Sequence, residues 1–226
     1  MMSLFGKGML LTFTDVSARD ERDYNEWYNR EHIDDRVNLP GFHRGRRYAA
    51  VRGKPKYLAV YECDTVAILG TPNYLQTLDH QTPWSQRVMA RFTHFTRLTL
   101  RIHVDQTHGA GAALATVRFV PDPHRRKALV QWLSEQALPK LTARPGVMGA
   151  AVGENDLEVV HAPLQDKSMD HPRADESEWV VLLEGSDVSA VGAAARSLFT
   201  ISRLKSFGVE TAPTFGTYKF LFGNQR

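Results

Sequence analysis

The sequence predicts an α+β fold built from two tandem copies of one β-α-β-β-α-β unit. Three observations carry that expectation. Trp27 is followed thirteen residues later by Pro40-Gly41, and Trp132 is followed at the same interval by Pro145-Gly146. The segment EWYNREHIDDRVNLPGF therefore aligns without a gap on QWLSEQALPKLTARPGV, 105 positions further on. Strand-like runs flank both segments in the same order, and each half closes on a stretch with a period of two.

Taken in order, MLLTFTDV (9–16) and AALATVRFV (112–120) open the two halves as strands. The helix carrying each Trp stops near the following Pro, because the residue before a proline is pushed out of the α region. KYLAVYE (56–62) and EWVVLLE (178–184) are short, rich in Val, Leu and aromatics, and bounded by polar residues, as strands are. A second helical stretch runs from Val66 to Phe92, broken at Pro72 and Pro83; its counterpart is Val188 to Phe199. Thr82-Pro83-Trp84 reads as a helix start, with Thr as cap and Pro in the first turn. Leu98, Leu100, Ile102 and Val104 alternate with Arg97, Thr99, Arg101 and His103, and Tyr218, Phe220 and Phe222 alternate similarly near the end.

This order is the ferredoxin-like arrangement. Helices cover one face of such a sheet, and two units can cover each other's remaining face. The expected units are 1–108 and 109–226, with a boundary at QTHGAG (106–111). The second carries an insertion at about 153–177: GEND leads into DLEVVH as a hairpin, then LQDKSMDHPRADES (164–177) as a polar surface loop.

Composition narrows the function. The 226 residues are 42% hydrophobic and 23% charged, ordinary for a globular protein, with a formal charge of +3. The arginines are scattered among acids, which argues against nucleic acid as a partner. The single cysteine, Cys63, excludes an internal disulfide and fits a reducing compartment. The N-terminal apolar run is interrupted by Gly6-Lys7-Gly8, too short for a membrane span and unlike a signal peptide, so a cytoplasmic protein without a membrane partner is expected. The nine histidines form no H-x-x-x-H or H-E-x-x-H pair and there is no C-x-x-C, so no metal is expected. No glycine-rich phosphate loop and no G-x-S-x-G elbow occurs. A small-molecule ligand is the expected partner, and a homo-oligomer is left open.

The candidate site lies on the first helix. On a wheel of 100° per residue, Tyr24, Trp27, Tyr28, Glu31, His32 and Asp35 fall within an arc of about 140°. Ionisable groups on an aromatic face are unexpected for pure packing, since burying a charge is costly. His32 has Tyr28 four residues before it and Asp35 three after it, which on a helix puts a phenol and a carboxylate within reach of an imidazole. That set can move protons: catalytic His32, Asp35 and Tyr28. Trp27, Glu31, Trp84 and Arg46 are the substrate-contact candidates, Arg46 for a carboxylate or enolate if its strand face (Phe42, Arg44, Arg46, Tyr48) lines the pocket. The bland readings are His32 as a helix-end residue paired at the surface with Asp35, Arg46 on a solvated or inter-subunit face, and Trp84 in the core. The repeat acts as a control. At an offset of 105, Trp27 persists as Trp132, whereas Tyr28, Glu31, His32 and Asp35 become Leu133, Gln136, Ala137 and Lys140. A single working site in the first copy follows.

The run YNEWYNREHIDDRVNLPGFHRGRRY, followed by PKYLAVYE and TPWSQRV, resembles bacterial proteins of the dimeric α/β-barrel superfamily, the EthD-like and related members, over residues 8–104. The resemblance implies a single-chain dimeric α/β barrel with a pocket between sheet and helices. That superfamily includes monooxygenases that use no metal, muconolactone-type isomerases, polyketide cyclases and haem-dependent enzymes, so the site must decide the chemistry. The expected function is a cofactor-independent enzyme of isomerase, cyclase or monooxygenase type, transferring a proton through His32 on a small aromatic or polyketide-like acid or ketone. A non-catalytic ligand-binding or pathway accessory protein is the alternative. No cofactor is expected, with haem on His32 as the competing reading.

Overall fold

The computed structural model describes residues 4–160 and 177–226. Apart from Ser177, the polar loop expected over 164–177 lies outside the described residues.

The first unit runs β1 (Gly8–Val16), helix α1 (21–37), β2 (Phe42–Arg52), β3 (Tyr57–Cys63), α2 (Pro72–Asp79), α3 (Pro83–Met89) and β4 (Phe92–Asp105). The second runs β5 (Ala113–Phe119), helix α4 (126–142), β6 (Val147–Asn155), a short α5 (Leu157–Val160), β7 (Trp179–Gly185), α6 (Val188–Leu198), α7 (Ile201–Leu204) and β8 (Thr214–Gln225). The caps follow the sequence signals. Thr71 and Thr82 each accept the backbone N–H three residues on, ahead of Pro72 and Pro83, and Asp187 does the same for α6.

Eight antiparallel strands close into a barrel in the order β1-β3-β2-β8-β5-β7-β6-β4. Within each unit the strand order is that of a ferredoxin-like sheet. Closure comes from exchange: β2 of the first unit pairs with β8 of the second, and β4 with β6. This leaves no sheet edge. Alternation then splits the side chains. Leu11, Phe13, Val60, Leu98, Leu100, Val180 and Leu182 are among those that fill the barrel, while the opposite faces of the same strands bury against the helices. The architecture is two ferredoxin-like units packed as a single-chain dimeric α/β barrel, as the sequence predicts.

Three local expectations fail. The hairpin expected after GEND does not form in the described residues: β6 carries straight through to Asn155, and Leu157–Val160 turn into helix. Tyr218, Phe220 and Phe222 do not share one face. Bulges in the β2–β8 register put Tyr218 inside the barrel, Phe220 at its rim with 42% exposure, and Phe222 against the first unit's helix layer. A bulge between Phe42 and Arg44 likewise sends Phe42 outward to the helices, although Arg46 and Tyr48 point inward.

Helices α1 and α4 share an irregularity absent from any simple periodic reading. Helix α1 consists of α-helical Glu21–Trp27, a π-turn at Tyr28–His32 and α-helical Ile33–Val37. Helix α4 consists of Arg126–Trp132, a π-turn at Leu133–Ala137 and Leu138–Thr142. The two π-turns lie 105 positions apart, as do Gly41 (φ 84°) and Gly146 (φ 81°), which turn the chain from helix into strand in a conformation that favours glycine.

Candidate functional site

Helix α1 covers the outer face of the first unit's sheet. Its anchor is Trp27, fully buried, whose indole N–H donates to Ser85 Oγ at 3.0 Å and Glu31 Oε1 at 3.2 Å. The same Glu31 oxygen accepts from Thr82 Oγ1 at 2.6 Å and Ser85 Oγ at 2.9 Å. Glu31 therefore ties α1 to the start of α3. Trp84 packs against this layer and turns its indole N–H to Asp23 Oδ1 at 2.9 Å.

His32 is 8% exposed. Its ring lies 4.1 Å from that of Trp27 and edge-on to Tyr28 at 5.1 Å and Tyr61 at 6.4 Å. Its Nδ1 is buried without a hydrogen-bond partner among the described residues. Burial, reinforced by the positive charges of Arg36 and Arg47, holds its pKa well below the ordinary histidine value, so the imidazole is neutral at pH 7. The hydroxyl of Tyr28 lies 3.5 Å from Thr12 Oγ1, a contact at the limit of a hydrogen bond.

The expected His32–Asp35 dyad is not formed. Asp35 is exposed, and no hydrogen bond joins it to His32. The π-turn is the cause. A turn closed i→i+5 holds one residue more than an α turn, so every residue after it lags by roughly 100° relative to a regular wheel. Arg36 takes the inward place that a regular helix assigns to Asp35, and is 3% exposed. The second unit follows the same phase: Leu141, equivalent to Arg36, is buried, and Lys140, equivalent to Asp35, is exposed. One extra residue in a turn thus exchanges an anion for a cation beside His32.

Arg46 is not on this face either. It is buried at the barrel mouth, with Nη1 at 2.6 Å from Glu184 Oε1 and 2.7 Å from the Tyr48 hydroxyl, and Nη2 at 3.0 Å from Glu62 Oε1. Arg44 pairs with Glu62 alongside it. The surface here is neither a solvated face nor part of the His32 layer; it is a buried ion network between the two units. A cleft of about 450 Å³ opens beside it, bordered by Arg44, Arg46, Gly111 and Phe220, on the opposite side of the sheet from His32.

Two further residues belong to the His32 layer. Arg47, 2% exposed, sits with its guanidinium 4.2 Å from the centre of the Tyr28 ring, 5.2 Å from Tyr24 and 5.8 Å from Tyr57. It donates to the side-chain oxygens of Asn25 at 2.8 Å and Asn29 at 2.9 Å. Tyr61 is 1% exposed, its hydroxyl has no partner, and burial keeps it a neutral phenol by raising its pKa well above the ordinary value. The layer as a whole offers a neutral imidazole, a phenol and two buried guanidinium groups, with no buried carboxylate among its described members. Such a set can accept a proton and stabilise the anion left behind.

In the second unit the corresponding positions are Leu133, Ala137, Val152 and Leu183, all buried in one apolar cluster. Arg36 was detectable in the sequence through that copy. Position 141, equivalent to 36, is apolar Leu whereas position 140, equivalent to 35, is Lys, and that difference points to 36 rather than 35 as the inward position. Cys63 is buried, and burial first, with Asp64 and Glu62 nearby, pushes its thiol up to about 12, an unreactive state at neutral pH. Among the described residues no group of three or more His, Cys, Asp and Glu side chains is arranged to hold a metal ion, and no helix is long and apolar enough to cross a membrane.

No protein-family model and no curated protein matches this sequence. The fold is matched by solved structures. An anthrone oxidase-like protein aligns with a TM-score of 0.66 at 12% identity, covering 96% of this chain and 92% of the other. A candidate monooxygenase of Lactobacillus acidophilus aligns at 0.59 and 10% identity, covering 97% and 96%. A haem-binding protein of Thermus thermophilus aligns at 0.52 and 11%, covering 96% and 92%. These place the chain structurally among ferredoxin-like, dimeric α/β-barrel proteins, and at such identities the likeness concerns the fold alone.

Proposed function

We propose that this chain is a cofactor-independent enzyme of the oxidase or monooxygenase type, acting on a small aromatic or polyketide-like acid or ketone. The observation that carries the reading is His32: a neutral imidazole, buried among aromatic rings, with a nitrogen that none of the described residues engages. A neutral histidine accepts a proton from an activated C–H without first losing one. Arg36 and Arg47 then lower the energy of the carbanion or enolate, because charge–charge attraction is strong where water is excluded. The names of the anthrone oxidase-like and monooxygenase neighbours support this class of reaction over an isomerase. The two units are read as a duplication in which 1–108 carries the site and 109–226 is its scaffold. A soluble, cytoplasmic protein without nucleic acid as a partner is part of the same proposal.

Haem is the competing cofactor, since one structural neighbour is described as haem-binding. His32 is the residue that would ligate iron. The rings of Trp27, Tyr28 and Tyr61 enclose it and are themselves buried in contact with one another, so the described residues do not fit a porphyrin against this histidine without opening the layer.

The test uses anthrone as an enolisable probe, with oxygen uptake and consumption followed together for wild type and His32→Asn. The expected result is turnover without added metal or haem, falling about 100-fold or more in the variant. Unchanged turnover in His32→Asn, or none in the wild type, rejects the reading in favour of a ligand-binding accessory protein. A Soret band in the purified protein rejects the absence of a cofactor.

A further inference from the structure

We infer that the His32 layer is an anion site, that its ligand is a planar aromatic carboxylate, and that Arg36 is the residue that selects the carboxylate. This rests on the reading of that layer as the working site and adds the ionised group its ligand must carry.

The argument starts from unmet hydrogen-bonding groups. More than nine in ten buried polar groups of a native interior have a partner. Around helix α1 three nearly fully buried side chains break that rule together: Arg36 at Nη1, Tyr61 at its hydroxyl and His32 at Nδ1. Arg36 is one helical turn beyond His32, and its charge acts on both His32 and Tyr61. Arg36 and Tyr61 are donors. An unfilled pair of donors calls for an acceptor that the described residues do not provide.

Charge points the same way. Arg36 and Arg47 are 3% and 2% exposed, and among the described residues neither forms an ion pair. The nearby carboxylates are directed elsewhere. Glu31 accepts from Trp27, Thr82 and Ser85; Asp34 accepts from Asn224; Asp35 is exposed. The two buried carboxylates of the molecule's described residues, Glu62 and Glu184, face the barrel mouth and are held by Arg46. Arg47 is accommodated by amide oxygens and tyrosine faces. Among the described residues the Arg36 side chain forms no hydrogen bond or ion pair; it meets the face of Tyr74 at 6.0 Å and feels the charge of Asp35, which stands in solvent. A buried cation left in this condition costs stability, and sites that bind ligands are where such costs persist. The neighbouring rings, Trp27, Tyr28, Tyr61 and Tyr74, are buried against other side chains, so a ligand reaches Arg36 by parting them, and a flat body suits the gap between flat side chains. A carboxylate that takes the Arg36 N–H and the Tyr61 O–H would satisfy both donors and leave the aromatic body beside His32.

The experiment measures binding and needs no turnover. Salicylate and 1-hydroxy-2-naphthoate are titrated into the full chain by calorimetry, each beside its neutral amide, for wild type, Arg36→Met and His32→Asn. At least one acid should bind the wild type, with its amide at least about tenfold weaker. Arg36→Met should lose about tenfold or more in acid affinity, the loss expected for one charge-assisted hydrogen bond. It should melt, without ligand, at the wild-type temperature or above, because it removes an unpaired buried charge. His32→Asn keeps the Arg36 and Tyr61 donors and should still prefer the acid to its amide by about tenfold. Acid and amide binding alike, neither acid binding, full affinity in Arg36→Met, or a markedly lower melting temperature for that variant would each overturn the inference. Acid binding by His32→Asn without turnover by the wild type would reject the proposed reaction and leave the anion site standing.

Discussion

Arg46→Met tests the separation of the barrel-mouth network from the His32 layer. The wild-type guanidinium bridges Glu184 of one unit and Glu62 of the other at 2.6 and 3.0 Å, with all three side chains no more than 5% exposed. Burial alone disfavours a charged arginine, but Glu184, Tyr48 and Glu62 outweigh it and hold the group more firmly protonated than usual. Methionine keeps much of the length and the packing but removes the charge. Among the described residues Glu62 retains Arg44, whereas Glu184 retains only the Gly111 N–H at 3.1 Å. Breaking a buried pair by removing one partner costs about 3–5 kcal/mol, because the other charge is left uncompensated. For a chain of this size that corresponds to a fall of about 6–20 °C in Tm. Denaturant unfolding and calorimetry give the loss, and Arg46→Met/Glu184→Gln completes the cycle. The double variant should recover at least about 1 kcal/mol relative to Arg46→Met, since its buried glutamate is now neutral. Folded Arg46→Met should turn over anthrone as the wild type does. A stability loss under about 1 kcal/mol would show that the network does not behave as a buried ion cluster. A selective loss of turnover in the folded variant would return Arg46 to the site.

Two further outcomes follow from the His32 layer. The folded protein resists protonating His32, whereas the unfolded chain does so near 6.5, so acidification favours unfolding; wild type should lose stability faster than His32→Asn as pH falls from 6.5 toward the depressed folded value. Parallel melting profiles for the two proteins between pH 7.5 and 5 would mean that His32 is not held neutral. Ser85→Ala removes a fully buried hydroxyl that links Trp27 and Glu31, and should cost about 1–3 kcal/mol by denaturant unfolding, with a loss below about 0.5 kcal/mol counting against the clamp.

The fold was largely legible because its signals are local and repeated. The Trp-to-Pro-Gly interval, the strand alternation of 98–104 and the Thr-Pro caps each depend on a few neighbouring residues, and the second copy checks the first. That His32, Tyr28 and Trp27 share one buried face was legible for the same reason, from ionisable and aromatic groups that the second copy lacks or keeps. The bulges in β2 were not, and they decide that Phe42 points to the helices while Arg46 points into the barrel.

The sequence by itself determined two β-α-β-β-α-β units and a helix face on which aromatic and ionisable residues meet. The tertiary structure decided which charge stands beside His32, and the sequence carried no more than a sign of it in Leu141 next to Lys140. The wheel assumes one angle per residue, but helix α1 must bury Tyr24 and Trp27 near its start and Ile33 and Val37 near its end against the same twisted sheet. A π-turn reconciles those two contacts, and packing along the whole helix selects it. Arg36 comes inward by that route, and Asp35 is left in water.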